Sequence, residues 1–349
     1  MLVRLYALNQ KVEKHYDASG KAMKDVLNIF RQCGVKIIPG VSKDAKKIFK
    51  VLDIPILTLY TLFAIPKKSG VIFCFPDNKI KIRLLGKLKK IKEITVICFV
   101  NDINSIRYED ITRPDVMAGI KEEMELMGIA DVILAPNKNT IEFLKGQGLH
   151  ARMIPVGVWD YVLNDRQTES IHNEEKMPKE RFKVAFAGNL NKSPFIFDLD
   201  KVTTDKVSYE LWGNLDKKEN LYSGAVYHGA MHPEELISDV CHCHFGLVWD
   251  GTGIHSCESG LGVYLRYNNS HKCGMYLAAG LPVFVWSESG MSHFVKENHC
   301  GFVISSLKEI PQVLEKLTEE EYEELRENVA VVSDKIRRGE YLKEALAQI

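Results

Sequence analysis

Six consecutive polar or aromatic side chains, residues 267–272 (YNNSHK), stand immediately before a helical pattern of apolar residues. Asn and Ser are ordinary residues at a helix start, so capping alone is one explanation of this segment. A run of this length exceeds what capping requires, and the N-terminal amides of a helix together with Lys272 and His271 would suit a diphosphate. The segment therefore indicates a site for a phosphorylated ligand, with Asn268 and Asn269 as further candidate contacts.

A glycine turn follows another apolar run, in residues 186–193 (FAGNLNKS). Gly188 would let the backbone approach a ligand, and Lys192 would supply a point charge to a phosphate. A strand followed by a glycine is common in α/β proteins, so an ordinary turn between strand and helix is an equally good explanation. The chain contains neither G-x-G-x-x-G nor a Walker sequence, which argues against a dinucleotide oxidoreductase or a P-loop NTPase.

Cysteine and histidine alternate at residues 241–244 (CHCH), and both are metal-ligand residue types. Successive side chains of a strand point to opposite faces, and no C-x-x-C spacing accompanies the segment, so we expect no metal there. The eight cysteines stand mostly inside apolar runs such as VIFCFP and TVICFV, where a thiol behaves as a small hydrophobic group. This usage favours a reducing cytoplasm.

Short apolar runs alternate with amphipathic stretches along most of the chain, and these elements must position the candidate residues. LVRLYAL precedes KAMKDVLNIFRQCG, for example, and the pattern restarts later with FKVAFAG, SYELWG, HFGLVWDG and LPVFVW. Strands spaced by helices imply βαβ units and a parallel sheet. The sequence therefore predicts an α/β protein of doubly wound, Rossmann-like units, with ligands at the carboxyl ends of the strands.

Hydrophobicity disappears around residues 163–181, which we interpret as an interdomain linker. We predict an N-terminal domain over residues 1–162 and a C-terminal domain over residues 180–333, facing each other across a cleft. Capping-box spacing at Thr318 and Glu321 begins a charged helical pattern that should lie on the exterior. We leave open that its end, a C-terminal helix of about residues 334–349, packs back on the N-terminal domain.

The chain of 349 residues carries 46 Lys and Arg against 46 Asp and Glu, a formal net charge of zero. No overall positive field attracts a polyphosphate backbone, so we expect no nucleic-acid partner. The longest apolar stretch, Ile54–Ile65, is shorter than the roughly 20 residues of a spanning helix, and the N-terminus is typical of a first strand rather than a signal peptide.

Two surface-type features have commoner structural explanations. Tyr60, Leu62 and Phe63 could dock on a membrane or a partner, but a buried core helix explains them more often. The short basic run GKLKKIKE is typical of a solvated helix face.

Several segments together carry a resemblance to a known family. In chain order they are FVNDINSIR, ADVILAPNKNTIEFLKGQG, FAGNLNKSPF, VYHGAMHPEEL, HFGLVWDG and NNSHKCGMYLAAGLPVFVW. They resemble the bacterial GT-B sugar transferases, most of all the subgroup with the β-1,6-galactofuranosyltransferases and the glucosyltransferase that adds the second sugar to serine-rich repeat adhesins. The resemblance covers nearly the whole chain, and residues 264–286 are its most specific part.

The resemblance implies a GT-B fold and a metal-independent transferase that uses a UDP-sugar and needs no cofactor. It implies that the nucleotide lies on the C-terminal half and the acceptor on the N-terminal half. By the same resemblance, Lys192, Tyr227 and Lys272 contact the donor. Ser19 and Gly20 are our candidates for an acceptor-side loop.

One departure from the family pattern concerns the mechanism. The widespread retaining enzymes place a Glu five residues before the glycine of an A-x-G-x-P stretch, and Met275 occupies that position here. The missing carboxylate favours an inverting reaction, in which one general base deprotonates the acceptor hydroxyl. Asp102, close behind the run TVICFV and preceded by Asn101 where the subgroup often has His, is our candidate base. Asp17 and Asp25 are reserves, and a turn-capping role is the alternative for Asp102.

We therefore expect a glycosyltransferase that moves a hexose (glucose, galactose or galactofuranose) from a UDP-sugar to a saccharide acceptor during bacterial polysaccharide or glycoprotein assembly. Two alternatives stay open: a UDP-sugar 2-epimerase of the same architecture, and a non-catalytic GT-B-like scaffold subunit. The expected partners are the UDP-sugar and a saccharide or glycoprotein acceptor, in the cytoplasm. Peripheral membrane association and a homo-oligomer are also left open.

Overall fold

The computed structural model describes residues 3–9, 18–40, 52–107, 110–171 and 176–349. These residues form two parallel sheets of six strands, each flanked by helices. The strands of the first sheet are β1 (Leu5–Leu8), β2 (Lys36–Ile38), β3 (Gly70–Phe75), β4 (Thr95–Val100), β5 (Val132–Ala135) and β6 (Arg152–Pro155). Its helices are α1 (Ala18–Gln32), α2 (Asp53–Phe63), α3 (Lys79–Lys92), α4 (Pro114–Met127) and α5 (Lys138–Gly146).

The first sheet has the order β2-β1-β3-β4-β5-β6, and its strands pair in parallel. All six residues of β3 are buried, which explains its continuous apolar sequence GVIFCF. A parallel strand covered by helices on both faces has no solvent-facing side and so shows no polar alternation.

The second sheet repeats this plan. Its strands are β7 (Phe182–Ala187), β8 (Val207–Trp212), β9 (Val226–Gly229), β10 (Phe245–Val248), β11 (Val283–Trp286) and β12 (Gly301–Ile304). Its order is β12-β11-β10-β7-β8-β9, so the direction of strand addition reverses between β7 and β10. In open α/β sheets a ligand crevice forms at the carboxyl ends of the strands beside such a reversal.

The helices of the second half complete the chain. They are α6 (Asp165–Ser170), α7 (Pro233–Val240), α8 (His271–Ala278), α9 (Ser292–Glu297), α10 (Glu309–Lys316), α11 (Glu319–Arg338) and α12 (Glu340–Ala347). Two doubly wound α/β sheets confirm the predicted fold class. The segment interpreted as a linker contains the short helix α6, which a capping box of Asn164 and Gln167 begins.

The C-terminal helical pattern breaks at Gly339, between α11 and α12, where φ is +74°. A Cβ at this position would lie 2.6 Å from Ile29 Cγ1 of α1, so glycine is needed both for the turn and for the close approach. Leu342, Ala345 and Leu346 of α12 then join the buried cluster of the first sheet. The last helix of the chain therefore packs on the N-terminal half.

Asp160, in the segment between the two sheets, accepts the backbone N–H of Leu342 at 2.9 Å and so caps α12. Burial raises the pKa of Asp160 to about 7, although the hydrogen bonds from the α12 backbone act in the opposite direction. Among the described residues no helix is long and apolar enough to cross a membrane.

Candidate donor and acceptor sites

Two glycines bring the strand ends of the second sheet together. Gly188 directly follows β7, and a Cβ there would lie 2.9 Å from Lys272 Cε. Gly213 directly follows β8 with φ +141°, and a Cβ there would lie 1.8 Å from the carbonyl oxygen of Gly188. The lysine side chain and two loops can therefore meet only because both positions lack a side chain.

Lys272, in the first turn of α8, reaches across this edge of the sheet. Its Nζ lies 2.6 Å from Asp250 Oδ1 and 4.6 Å from the ring centroid of Phe186, and its side chain is 19% exposed. Asp250 follows β10, the strand on the other side of the reversal. The ammonium group and the first turn of α8 thus lie where this fold class binds ligands.

Asp250 was not among the residues predicted from the sequence. Its only signal was position, as a carboxylate close behind the buried strand in HFGLVWDG. This carboxylate is the counter-ion of Lys272. A diphosphate arriving at the ammonium would have to share it with Asp250, and the two negative groups would repel each other.

Tyr227 joins the same edge through Gly213. Its hydroxyl donates a hydrogen bond to the Gly213 carbonyl oxygen at 2.8 Å, and Lys218 Nζ lies 5.1 Å from the centroid of its ring. Lys192 ends the 3₁₀ turn that follows Gly188. Its side chain is exposed and forms no ion pair with any residue that the structure describes. The structure thus brings Gly188, Tyr227 and Lys272 together, with Lys192 on the adjoining turn.

His271 has a different environment from Lys272, its neighbour in sequence. Its ring centroid lies 5.8 Å from that of Trp159 and 5.7 Å from that of Tyr161. Burial, assisted by the charge of Lys21, lowers the pKa of His271 to about 3, so the ring is neutral at physiological pH. A neutral ring cannot supply the positive charge expected from the sequence, and its contact with a donor stays a prediction.

The two asparagines of the segment also differ. Asn269 is buried and holds the halves of the chain together: its Nδ2 donates to the Pro136 carbonyl oxygen at 2.7 Å, and its Oδ1 accepts from Asn137 Nδ2 at 2.9 Å. Asn268 Oδ1 is buried with no hydrogen-bond partner in the part of the chain that is described. Their contacts with a donor stay predictions, and Asn268 has the unused acceptor.

Asp102 follows β4 and lies where the two halves touch. Its Oδ1 accepts a hydrogen bond of 2.9 Å from the hydroxyl of Tyr264, and its Oδ2 lies 2.6 Å from a guanidinium nitrogen of Arg107. Tyr264 comes from the 3₁₀ turn Gly260–Arg266 of the second half, and its hydroxyl also accepts the backbone N–H of Ile103 at 2.9 Å. Both carboxylate oxygens are therefore engaged, yet the side chain remains 35% exposed.

The partners of Asp102 keep their protons. Burial, reinforced by the charge of Asp102, raises the pKa of Tyr264 well above its usual range. Burial tends to lower the pKa of Arg107, but the hydrogen bond and charge of Asp102 outweigh it and leave that pKa raised. The arrangement is a hydrogen-bonded carboxylate with one oxygen on a tyrosine and the other on a solvent-accessible arginine.

Two models of one known family match the two halves of the chain separately. The model described as "Glucosyltransferase 3-like, N-terminal domain" matches residues 5–158, and "Glucosyltransferase 3-like, C-terminal domain" matches residues 184–349. The chain belongs to the glucosyltransferase 3-like family. It is a GT-B glycosyltransferase of that family, which confirms the family predicted from the sequence.

Two curated relatives are similar over most of their length. β-1,6-Galactofuranosyltransferase WbbI of Escherichia coli (strain K12) is 26% identical over 350 residues, covering 99% of this chain and 98% of WbbI. Glucosyltransferase 3 of Streptococcus gordonii is 26% identical over 263 residues, covering 75% of this chain and 72% of that protein.

Solved structures share the fold. Anabaena HepE in complex with UDP-glucose matches with a TM-score of 0.57 at 10% identity, covering 99% of this chain and 100% of HepE. The apo form of the lipopolysaccharide outer core galactosyltransferase WaaB matches with a TM-score of 0.58 at 11% identity, covering 100% of this chain and 99% of WaaB.

The remaining acceptor-side candidates of this glucosyltransferase 3-like chain lie at or before α1. Ser19 and Gly20 are in its first turn, and Gly20 is buried. Asp25 is also buried, in an ion pair with Lys21, and accepts the backbone N–H of Val162 at 3.0 Å. Asp17 lies outside the described residues. Asp25 thus holds α1 to the segment between the halves, whereas Asp102 is accessible.

The CHCH segment is part of the core. Cys241 and Cys243 are buried, and His244 Nδ1 accepts the backbone N–H of Lys183 at 3.0 Å. Burial lowers the pKa of His244 to about 4. In the described ranges there is no group of three or more His, Cys, Asp or Glu side chains arranged to hold a metal ion.

Proposed function

We propose that this protein transfers a hexose from a UDP-sugar to a saccharide acceptor, with inversion at the anomeric carbon and without a metal ion. The observation that carries the donor half of the proposal is Lys272, whose side chain crosses Gly188 beside the strand-order reversal. Family membership supports the reaction class, because the relatives are named for galactofuranosyl and glucosyl transfer.

The diphosphate would bind at the start of α8. The first-turn amides supply hydrogen-bond donors and the positive end of the helix dipole, and Lys272 adds a full charge. The side chain of Ser270 makes no cap hydrogen bond to these amides, although its backbone carbonyl oxygen accepts the N–H of Cys273 at 3.0 Å. Lys192 would add a second cation from the turn after β7. These groups can neutralise the charge that develops on the departing UDP, which is the task a metal ion performs elsewhere.

Asp102 would act as the general base. The acceptor oxygen attacks the anomeric carbon from the face opposite UDP and passes its proton to Asp102, while the bond to the diphosphate oxygen breaks and its electron pair leaves with UDP. One carboxylate oxygen must therefore exchange its partner for the acceptor hydroxyl. Arg107 is the partner that can yield, because its side chain is 43% exposed whereas Tyr264 is buried.

The acceptor would be a saccharide carried on a glycan or a glycoprotein, glycosylated in the cytoplasm. The compartment is supported by the eight cysteines, all within the described residues, which form no disulfide and of which only Cys33 is exposed. Buried thiols without disulfides are typical of proteins in reducing compartments.

Two measurements test the proposal. Incubation with a panel of UDP-sugars and no acceptor should show slow hydrolysis to UDP, whereas conversion of UDP-GlcNAc to its 2-epimer would establish the epimerase alternative. Calorimetry should give the same UDP affinity with and without excess chelator. Loss of UDP binding on adding chelator would refute the metal-free site, and no UDP binding under either condition would favour the scaffold alternative.

A further inference from the structure

The charge of the chain is zero overall but unevenly distributed. Residues 41–92 contain thirteen Lys and Arg and three Asp, a net charge of +10, so the rest of the chain carries −10. The structure describes residues 52–92 of this stretch, which form α2, β3 and α3. Several of its cations are paired within the chain, with Glu93, Glu122, Asp53 and Asp131, so only the cations outside these ion pairs can attract a negatively charged partner.

Helix α2 turns an apolar stripe to solvent. It buries Leu57 and Thr61 against the sheet, whereas the side chains on its opposite side are exposed. Leu59 is 56% exposed and Phe63 is 82% exposed, with Leu52 at the helix start also exposed. The sequence favoured a core helix for this region, and that expectation is wrong for Phe63. Single exposed apolar residues are ordinary, but a stripe at helical spacing is not.

Helix α3 runs beside α2 and in the same direction. Lys81 Nζ lies 3.0 Å from an oxygen of Asp53 at the start of α2, and Lys92 Nζ donates to the carbonyl oxygen of Leu62 at its end. Both helices pack on the same cluster of the first sheet, through Leu57 of α2 and Leu85 of α3 among others. Their outward faces therefore share one surface of the molecule.

The outward face of α3 is basic. Lys87 and Lys90 are exposed and form no ion pair with the described residues, and Ile91 beside them is 67% exposed. The apolar stripe of α2 and the free cations of α3 thus lie side by side. We call this surface the α2–α3 face; it comprises Leu52, Leu59, Phe63, Lys87, Lys90 and Ile91.

We propose that the α2–α3 face binds the surface of a bilayer containing anionic phospholipids. Leucine and phenylalanine would enter the boundary between headgroups and acyl chains, while the lysines contact lipid phosphates. The charge pattern favours a lipid surface over a protein partner, because lysine is depleted in the cores of protein interfaces. Helix α2 has 11 residues, so it would lie on the membrane rather than span it.

This inference does not depend on the transferase reaction. It adds that the N-terminal half faces the membrane through α2 and α3. Phe63, Lys90 and Ile91 lie near the ends of these helices, which lead into the amino ends of β3 and β4.

Co-sedimentation of the full chain with vesicles tests the proposal. We expect binding to phosphatidylcholine vesicles that contain about one third phosphatidylglycerol, and at least tenfold weaker binding to pure phosphatidylcholine, at a salt concentration of about 0.1 M. Each lysine near an anionic surface typically strengthens binding about fivefold, so the double variant Lys87→Glu/Lys90→Glu should bind at least about 25-fold more weakly.

Matched controls separate the surface from general charge and hydrophobicity. Lys308→Glu/Lys316→Glu makes the same charge change on exposed residues of the second half, and Val331→Ser removes an exposed apolar side chain there. These controls should bind like the wild type, whereas Leu59→Ser/Phe63→Ser should lose about tenfold. Thermal unfolding of every variant checks that the fold is intact.

Three outcomes would overturn the proposal. One is equal binding to neutral and anionic vesicles, or none to either. Another is an equal loss in the Lys87/Lys90 and Lys308/Lys316 variants. The third is a change in molar mass by light scattering on Leu59→Ser/Phe63→Ser with vesicle binding unchanged, which would mean that a second copy of the chain covers the stripe.

Discussion

Replacing Lys272 with alanine should weaken UDP binding far more than uridine binding. In the proposed donor site the ammonium group contacts phosphate oxygens, and uridine has none. A further effect follows from Asp250, whose carboxylate lies 2.6 Å from the ammonium. Lys272→Ala leaves this negative charge unpaired next to the diphosphate, so the variant loses an attraction and uncovers a repulsion.

The magnitude can be estimated from these two contributions. A hydrogen bond to a charged group contributes about 1.5–3 kcal/mol. Two like charges about 4 Å apart repel by about 1 kcal/mol in water, and the partial exposure of Asp250 keeps the effective value near this lower limit. Lys272→Ala should therefore cost about 2.5–4 kcal/mol of UDP affinity, which corresponds to roughly 70- to 900-fold. Uridine affinity should change by less than about twofold.

The double variant Lys272→Ala/Asp250→Asn tests whether Asp250 contributes a repulsion, because UDP affinity should then rise relative to Lys272→Ala alone. Removing the carboxylate should restore about 1 kcal/mol, so calorimetry should show UDP binding about fivefold more tightly to the double variant than to Lys272→Ala alone. Lys308→Ala, an exposed lysine distant in sequence, is the control for general charge. No recovery in the double variant would show that Asp250 does not face the diphosphate, and an equal loss for uridine would indicate a damaged fold.

Three further predictions concern the base, the glycines and the pH dependence of stability. Asp102→Asn should lower transfer about 10²- to 10⁴-fold at nearly unchanged UDP affinity, and the product should have inverted configuration; a variant keeping more than about a tenth of the wild-type rate would eliminate this base. Gly188→Ala should weaken UDP binding with little loss of stability, because the new Cβ meets the movable end of a lysine, whereas Gly213→Ala meets a backbone oxygen at 1.8 Å and should lower the free energy of unfolding by roughly 3 kcal/mol or more. The raised pKa of Asp160, about 7, means that the folded state binds the proton more tightly than the unfolded state, so this group's contribution to stability falls as pH rises from about 4 to about 7. Urea unfolding of Asp160→Asn and wild type should therefore show the difference shifting by about 2.5 kcal/mol in favour of the variant between pH 5 and pH 8, and a difference independent of pH would contradict the raised pKa.

The architecture was predictable because it depends on local patterns. Strands buried on both faces must be continuously apolar, as in GVIFCF of β3, and amphipathic stretches between them form the covering helices. The sequence placed the start of the last helix at about residue 334 and missed the break at Gly339, since the charged pattern continues through it. Its cause is tertiary: the turn lets α12 leave α11 and pack against Ile29 of the other half.

The candidate site was only partly predictable, for the same physical reason. Strand ends and a helix start identified Gly188 and Lys272, because position along the chain alone places such residues at one sheet edge. Asp102 pairs with Tyr264, which is 162 positions away in the sequence. Local spacing patterns relate residues a few positions apart, so they cannot predict this contact. His271 shows the opposite failure: its type suggested a cation, but its burial beside Trp159 decides that it is neutral.

The contact between Asp102 and Tyr264 also bears on how the two halves cooperate. Tyr264 lies in a turn that leads directly into residues 267–272, and its ring is buried with the core of the first sheet. The segment expected to hold the donor is therefore anchored, a few residues earlier, to the carboxylate expected to activate the acceptor. An inverting displacement needs the incoming oxygen, the anomeric carbon and the departing oxygen nearly in line, and small misplacements are costly. A single tyrosine that donates to the proposed base and precedes the proposed donor segment would give the chain a fixed reference for that alignment.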